Sequence, residues 1–146
     1  MFDADHILIA LATAATIVVA VLIHYEAINI LRGVRFRFLE HPRFRLVFVI
    51  LGIIVAHVIE IWAFAITYVV LEQTNMESVI VNLSEPTFAD YVYYSMVVYT
   101  SLGFGDLYPE GPIRFLTGSE TLAGLVLISW TAAFTFYEMQ QAWGDD

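Results

Sequence analysis

The sequence has no cysteine and no lysine, and charged residues of any kind are scarce. The absence of cysteine excludes disulfide bonds, thiolate metal ligands and cysteine nucleophiles. Six arginines against fifteen acidic residues give a formal net charge of −9. This balance argues against nucleic acid as a partner, because binding to phosphates needs a cationic surface. Only 14% of the residues are charged and 60% are apolar, so a water-soluble fold is excluded as well.

Three apolar stretches are long enough to cross a bilayer, which takes about 20 helical residues. They cover residues 7–31, 46–71 and 115–137. The first stretch follows acidic residues instead of the cationic leader of a secretion signal, so we expect a retained helix. A fourth apolar run, residues 91–105, is too short to span and ends in glycines.

The arginines predict the orientation of the chain in the membrane. Short loops rich in arginine face the cytoplasm. We therefore expect a multi-pass protein of the cell membrane, with its N-terminus outside, its C-terminus in the cytoplasm and most of its acidic residues on the outer side. Five of the six arginines lie between the first two stretches: Arg32, Arg35, Arg37, Arg43 and Arg45.

The short fourth run has the features of a helix that enters the membrane and stops inside it. Thr87 and Asp90 have the spacing of a capping box, with aspartate in place of the usual glutamate or glutamine. A helix over residues 88–100 would be roughly 20 Å long, shorter than the hydrocarbon layer of about 30 Å. We therefore expect it to enter from outside and not to cross.

Residues 101–106 read Ser-Leu-Gly-Phe-Gly-Asp, and they follow this helix at membrane depth. Irregular backbone there is tolerated only where it is buried in protein or lines a watery path. Gly103 and Gly105 permit backbone angles closed to other residues, so successive carbonyl groups can point the same way. A ladder of such oxygens can replace the water shell of a cation.

With Thr100 ahead of it, this segment resembles the Thr-Val-Gly-Tyr-Gly-Asp signature of the tetrameric potassium channel superfamily. Its Gly-Phe-Gly-Asp variant is most similar to the second pore loop of two-pore-domain potassium channels and of many small prokaryotic relatives. The resemblance implies an all-α integral membrane protein with three transmembrane helices, a re-entrant pore helix and a selectivity filter, assembled as a homotetramer. It divides the chain into an N-terminal helix with its arginine-rich link (1–45), a pore domain (46–138) and a short acidic cytoplasmic tail (139–146).

The resemblance also implies roles for individual residues. Ser101 would lie at the innermost ion site, where the family usually has threonine. Because serine lacks the methyl group of threonine, its hydroxyl would be held less firmly in one rotamer. Filter support would come from Thr100, Asp106, Tyr93 and Tyr94. Potassium would be coordinated by Ser101, Leu102, Gly103, Phe104 and Gly105.

Several residues within the spans have open interpretations. Glu120 would brace the filter through Ser95 or Tyr99, or it would face the ion path. His57 and Glu60 share a helix face, so they would form an interhelical polar contact or sense protons. His24 and Glu26 lie near the cytoplasmic end of the first stretch, where we expect polar side chains to reach water, and they are assigned no role. Two further gating candidates are Gly124, near the family's hinge glycine, and Phe136, which would either close the pore near its inner mouth or face lipid.

The sequence therefore predicts a passive potassium-selective channel that binds monovalent cations and membrane lipids. We expect no cofactor other than the permeant potassium ions. A non-selective cation channel and a non-conducting accessory subunit remain the alternatives. An enzyme is not expected, because no catalytic set of serine, histidine and acid, and no cluster of metal ligands, is visible in the chain.

Overall fold

The structure is a computed structural model that describes residues 4–33, 42–74, 79–83 and 85–144. Three long helices have 30 or 31 residues each, and all three are apolar enough to cross a membrane. The three predicted spans are thus confirmed as helices, and each is longer than predicted because polar residues extend its ends. In chain order the helices are α1 (Ala4–Gly33), α2 (Pro42–Glu72), the short α3 (Phe88–Tyr99) and α4 (Arg114–Gly144).

Helices α2 and α4 pack against α3, α1 packs against α2 and α4, and apolar surface remains on the outside. Helix α2 contacts the other three helices, and α4 also contacts α1 and α3. Buried side chains of all four helices form the main core, among them Phe64, Tyr68 and Leu127. Large apolar side chains such as Leu11 and Leu122 are exposed on the outer faces. Such a surface suits lipid or further protein, not water.

The fold also contains a small sheet that the all-α prediction did not include. Strand β1 (Val79–Val81) precedes α3, and strand β2 (Tyr108–Glu110) follows it. The two pair in antiparallel register, with Ile80 opposite Pro109. A proline is tolerated here because each strand of a two-stranded sheet has an unpaired edge. The sheet therefore joins the chain that precedes α3 to the chain that follows residues 100–107.

Helix α3 begins where its capping pattern predicted. The Asp90 carboxylate accepts hydrogen bonds from the backbone N–H and the hydroxyl of Thr87, each at 2.7 Å. The helix ends at Tyr99, and Thr100 is its C-cap. Twelve residues span about 18 Å, so α3 is too short to cross the membrane.

Some predicted features fall outside the described residues. They include Arg35 and Arg37 of the arginine-rich link and the last two residues of the acidic tail, Asp145 and Asp146. The orientation of the termini stays a prediction.

Candidate functional site

The candidate site begins where the backbone turns back on the end of α3. The N–H of Ser101 donates to the carbonyl oxygen of Val98 at 2.9 Å. The N–H groups of Leu102 and Gly103 both donate to the carbonyl oxygen of Val97, at 3.0 and 3.4 Å. Carbonyl groups at a helix end need partners from outside the helix. The segment that follows, residues 100–106, supplies them and is thereby fixed to α3; we call it the glycine segment.

Backbone angles alternate along the glycine segment. Ser101, Gly103 and Gly105 have φ of 57°, 55° and 81°, whereas the residues between them do not have positive φ. A serine at positive φ is uncommon. A Cβ added at either glycine would meet nothing within 4 Å, so these glycines are required for their conformation and not for space.

This alternation has a consequence for the carbonyl groups. Reversing the sign of φ at every second residue turns the peptide planes so that successive carbonyl groups can point to one side. The N–H groups of Leu102 and Gly103 face α3, and no described residue donates a hydrogen bond to the carbonyl oxygens of Leu102, Gly103 or Phe104. The carbonyl oxygens of Leu102, Gly103 and Phe104 thus have no hydrogen-bond donor among the described residues, and such oxygens can coordinate a dehydrated cation.

The outer end of the glycine segment is held by two polar contacts. The Tyr93 hydroxyl donates to the Asp106 carboxylate at 2.7 Å, and the Asn82 amide donates to the Asp106 carbonyl oxygen at 2.8 Å. The Tyr93 hydrogen bond is the main reason that the pKa of Asp106 lies below its usual range. Both contacts are exposed to solvent in the single chain.

The other predicted support residues lie on different sides of α3. The Thr100 hydroxyl donates to the Met96 carbonyl oxygen at 2.7 Å and so caps the helix. Tyr94 points inward, where its hydroxyl lies 3.1 Å from that of Thr117 and its ring packs edge-on against Tyr68. Tyr93 thus contacts the glycine segment, whereas Tyr94 ties α3 to α2 and α4.

Glu120 is fully buried behind α3. Its carboxylate accepts hydrogen bonds from the hydroxyls of Ser95 at 2.5 Å and Tyr68 at 2.6 Å. The Ser95 hydroxyl also lies 2.9 Å from the Ile61 carbonyl oxygen of α2. Of the two partners considered from the sequence, Glu120 therefore contacts Ser95 and not Tyr99. Its carboxylate joins α2, α3 and α4.

Tyr99, the last residue of α3, contacts a second buried acid. Its hydroxyl donates to the Glu60 carboxylate and lies 2.9 Å from Nδ1 of His57. Nδ1 of His57 is in turn 3.0 Å from Glu60. Both residues of the predicted polar pair on α2 are therefore within one hydrogen-bonded group, next to the start of the glycine segment.

The expectation that His24 lies in reach of water is wrong. Its ring is 1% exposed, and its Nδ1 lies 2.9 Å from the Glu60 carboxylate. The sequence contained a signal for this contact, because an acid within a span needs a polar partner on a neighbouring helix. His24 was instead placed at a helix end in reach of water, whereas the helix continues to Gly33.

The remaining gating candidates lie on α4. A Cβ added at Gly124 would be 2.1 Å from the Tyr99 carbonyl oxygen, so α4 and α3 approach closely only because residue 124 is glycine. The side chain of Phe136 is 60% exposed. Their roles in gating stay predictions.

Comparison with known proteins identifies the family. Residues 44–141 match Ion_trans_2, a family described as an ion channel, and the match covers about two thirds of the chain. The chain belongs to this ion channel family. No curated protein matches the channel, and no solved structure matches it. The matched region begins in α2 and ends in α4, so it contains the glycine segment and leaves α1 outside.

Proposed function

We propose that the channel is a potassium-selective homotetramer in which residues 101–105 form the selectivity filter. The observation that carries this proposal is the alternation of positive φ at Ser101, Gly103 and Gly105. It favours a row of carbonyl oxygens on one side of the strand, while the N–H groups of Leu102 and Gly103 are occupied by α3. Ions would pass down their gradient, each exchanging water for these oxygens.

The need for several copies follows from the geometry of one strand. A single glycine segment supplies one carbonyl oxygen at each level, which cannot replace a water shell. Four strands around an axis supply a ring of oxygens at every level, as in potassium channels. The side chains of Leu102 and Phe104 are 58% and 64% exposed in the single chain. Neighbouring subunits would cover these large apolar groups.

Electrostatics also favours a cation. Helix α3 directs its C-terminal end, which carries about half a negative charge, at the start of the glycine segment. Asp106 lies at the other end of the segment, and no described arginine side chain pairs with it. With the N-terminus outside and the C-terminus in the cytoplasm, Asp106 would face the outer solution and concentrate cations there, whereas the C-terminal end of α3 would point into the membrane.

The test is the reversal potential of the purified chain in bilayers with unequal potassium and sodium. Potassium selectivity places it near the potassium equilibrium potential. Equal permeability would support a non-selective cation channel, and the absence of current would support an accessory subunit. Native mass spectrometry of the same preparation tests the tetramer directly, since a monomer or dimer would contradict it.

A matched pair of variants tests the filter. Gly103→Ala forces a side chain into positive φ, at a cost of roughly 1–2 kcal/mol in each subunit. We expect loss of potassium selectivity or of current. Gly118→Ala in α4 is the control, since its added Cβ also meets nothing within 4 Å but φ there is not positive. Unchanged selectivity in Gly103→Ala would contradict this assignment of the filter.

A further inference from the structure

A buried polar cluster lies where the four helices meet, and conduction as proposed does not use it. We call it the histidine cluster: His24 of α1, His57 and Glu60 of α2, Tyr99 of α3 and Thr131 of α4. Glu60 is 0% and His24 1% exposed. Nδ1 of His24 lies 2.9 Å from one Glu60 oxygen, and Nδ1 of His57 lies 3.0 Å from the other.

The charge of Glu60 needs compensation that arginine does not provide. A carboxylate buried within a span is costly unless a positive group neutralises it. In the described part of the chain no arginine contacts Glu60, and the Arg45 side chain is engaged by Glu138 at 2.5 Å. The charge is therefore balanced by a protonated histidine ring or by a bound cation, or it is removed by a proton on Glu60 itself.

Hydrogen counting shows that neutral histidine rings leave the cluster incomplete. Nε2 of His57 and Nε2 of His24 both face the Thr131 hydroxyl, at 3.0 and 3.4 Å. If each Nδ1 donates to Glu60, both Nε2 atoms become acceptors, and Thr131 has one hydrogen for the two. Tyr99 adds no shortage, because its hydrogen goes to Glu60 and its oxygen can accept from Nδ1 of His57.

We propose that His24, His57 and Glu60 bind a divalent transition metal ion of the Zn²⁺ class. Two imidazoles and one carboxylate form a ligand set that zinc uses in proteins. One ligand atom from each residue lies within 4.8 Å of the others. Metal–ligand bonds of about 2.0–2.1 Å place tetrahedral ligands about 3.3 Å apart. Nδ1 of His24 lies 2.9 Å from one Glu60 oxygen and Nδ1 of His57 lies 3.0 Å from the other, so the three side chains must shift for one oxygen and both nitrogens to reach this spacing.

The metal also resolves the shortage of hydrogens. With the ion on both Nδ1 atoms, each Nε2 carries a hydrogen, and the two lone pairs of the Thr131 oxygen accept both. Such a hydrogen bond on the far side of a histidine ligand orients the ring in many metal sites. Tyr99 then donates to the Glu60 oxygen, and water or the Tyr99 hydroxyl completes the coordination.

The ligand chemistry separates this site from the proposed potassium path. Imidazole nitrogen suits zinc, cobalt, nickel and copper, whereas hard cations bind oxygen. The metal would join α1, which lies outside the matched family region, to α2 beside the last residue of α3. The proposal does not depend on potassium selectivity, so binding can be measured without current.

The experiment is a titration of the purified, metal-free channel with Co²⁺. Four-coordinate Co²⁺ at the cluster gives strong visible absorption that Zn²⁺ displaces. We expect saturation at one ion per chain, and a higher melting temperature with Zn²⁺ because a ligand of the folded state stabilises it. A wild-type channel that gives no such absorption would overturn the proposal, without any variant.

Variants then locate the ion. His24→Gln and His57→Gln should each weaken Co²⁺ binding by at least about a hundredfold, the upper end of the loss seen on removing a partner of a metal ligand. His6→Gln, near the opposite end of α1, is the matched control and should bind as wild type does. Binding that survives both cluster variants would overturn the site and assign the ion elsewhere, for example to His41, which lies outside the described residues.

Variants of Thr131 test whether its oxygen positions the histidine ligands or whether the side chain only fills space. Thr131→Val keeps the shape of the side chain but removes the oxygen that accepts from both rings, so we expect binding to weaken by about 10- to 100-fold. Thr131→Ser retains the oxygen and should restore binding to the wild-type level. Equal binding by the valine and serine variants would contradict the proposed role of Thr131.

Discussion

Two carboxylates of the described chain are completely buried among the helices, and they are held in different ways. Glu60 and Glu120 are both 0% exposed, and each faces a side chain of α3. Hydroxyl groups alone serve Glu120, whereas two ring nitrogens and one hydroxyl serve Glu60. The partners are Ser95 and Tyr68 for Glu120, and His24, His57 and Tyr99 for Glu60.

The two sites differ in whether the side chains that contact the carboxylate have other hydrogen-bond partners as well. The Ser95 hydroxyl can donate to the Ile61 carbonyl oxygen, and the Tyr68 hydroxyl lies 3.2 Å from that of Thr117. Nδ1 of His24 contacts Glu60 and no other polar group of the described chain. The partners of Glu120 therefore have alternatives to it, whereas among the described residues Nδ1 of His24 depends on Glu60 alone.

Replacing each of the two buried glutamates in turn should give the largest change in the free energy of unfolding. Glu60→Ala leaves Nδ1 of His24 buried without a partner, and breaking such a pair costs about 3–5 kcal/mol. Glu120→Ala removes the same number of atoms but leaves its partners with other acceptors, for about 1–3 kcal/mol. Denaturation of both variants in detergent measures the free energies of unfolding. Equal losses would contradict the contrast between the two sites.

The close packing of α4 on Tyr99 offers a second test. Gly124→Ala places a methyl group against the Tyr99 carbonyl oxygen, and overpacking of this kind costs about 1–3 kcal/mol. Gly118→Ala on the same helix meets nothing and should be neutral or slightly stabilising. Because Tyr99 contacts Glu60 and not Glu120, we also expect Gly124→Ala to weaken Co²⁺ binding. Equal stability of the two variants would contradict the close approach.

A double-mutant cycle sharpens the comparison further. His24→Ala combined with Glu60→Ala should be non-additive by about 0.5–3 kcal/mol, because the two side chains share a hydrogen bond. His24→Ala combined with Glu120→Ala should add to within about 0.5 kcal/mol, since these residues have no common partner. Coupling of the same size in both cycles would show that the two carboxylates belong to one network.

The smallest effect is a shift in the acid inhibition of the current, and it is expected from Asp106, whose carboxylate is exposed to solvent. Its pKa is lowered mainly by the Tyr93 hydrogen bond, so the contact holds at neutral pH and is lost as the pH falls through the lowered pKa. Tyr93→Phe should return the pKa of Asp106 toward its usual range. Acid should then inhibit the current at a higher pH than in wild type.

Tyr108→Phe is the control for this shift. Tyr108 is also a partly exposed tyrosine near the glycine segment, but its hydroxyl does not bond to Asp106. We expect its acid inhibition to match that of wild type. An unchanged midpoint in Tyr93→Phe would contradict the role of the Tyr93 hydrogen bond.

Much of the fold could be predicted from local sequence. Length and hydropathy identified the three long helices, and the spacing of Thr87 and Asp90 identified the start of α3, because both signals act over a few neighbouring residues. The two-stranded sheet was not predicted. Its strands have three residues each and are separated by α3, so no local pattern marks their pairing.

The parts of the candidate site that depend on neighbouring residues in the sequence could be predicted. Gly103 and Gly105 allowed the positive φ angles that the structure has, whereas the same conformation at Ser101 was not foreseen. His57 and Glu60 were recognised as a pair by their helical spacing. Their contact with His24 crosses from α2 to α1 and spans 36 positions, which spacing within one helix cannot reveal.

The sequence by itself determined that this chain resides in a membrane, where its helices lie, and where the backbone can turn its carbonyl groups to one side. These properties depend on composition and on the angles that single residues permit. Only the tertiary structure decided that His24 contacts Glu60 and that Ser95 and Tyr68 both donate to Glu120. It also decided that the end of α3 packs closely against Gly124. Each of these contacts joins side chains from different helices, and its partners are fixed by how the helices rotate and cross.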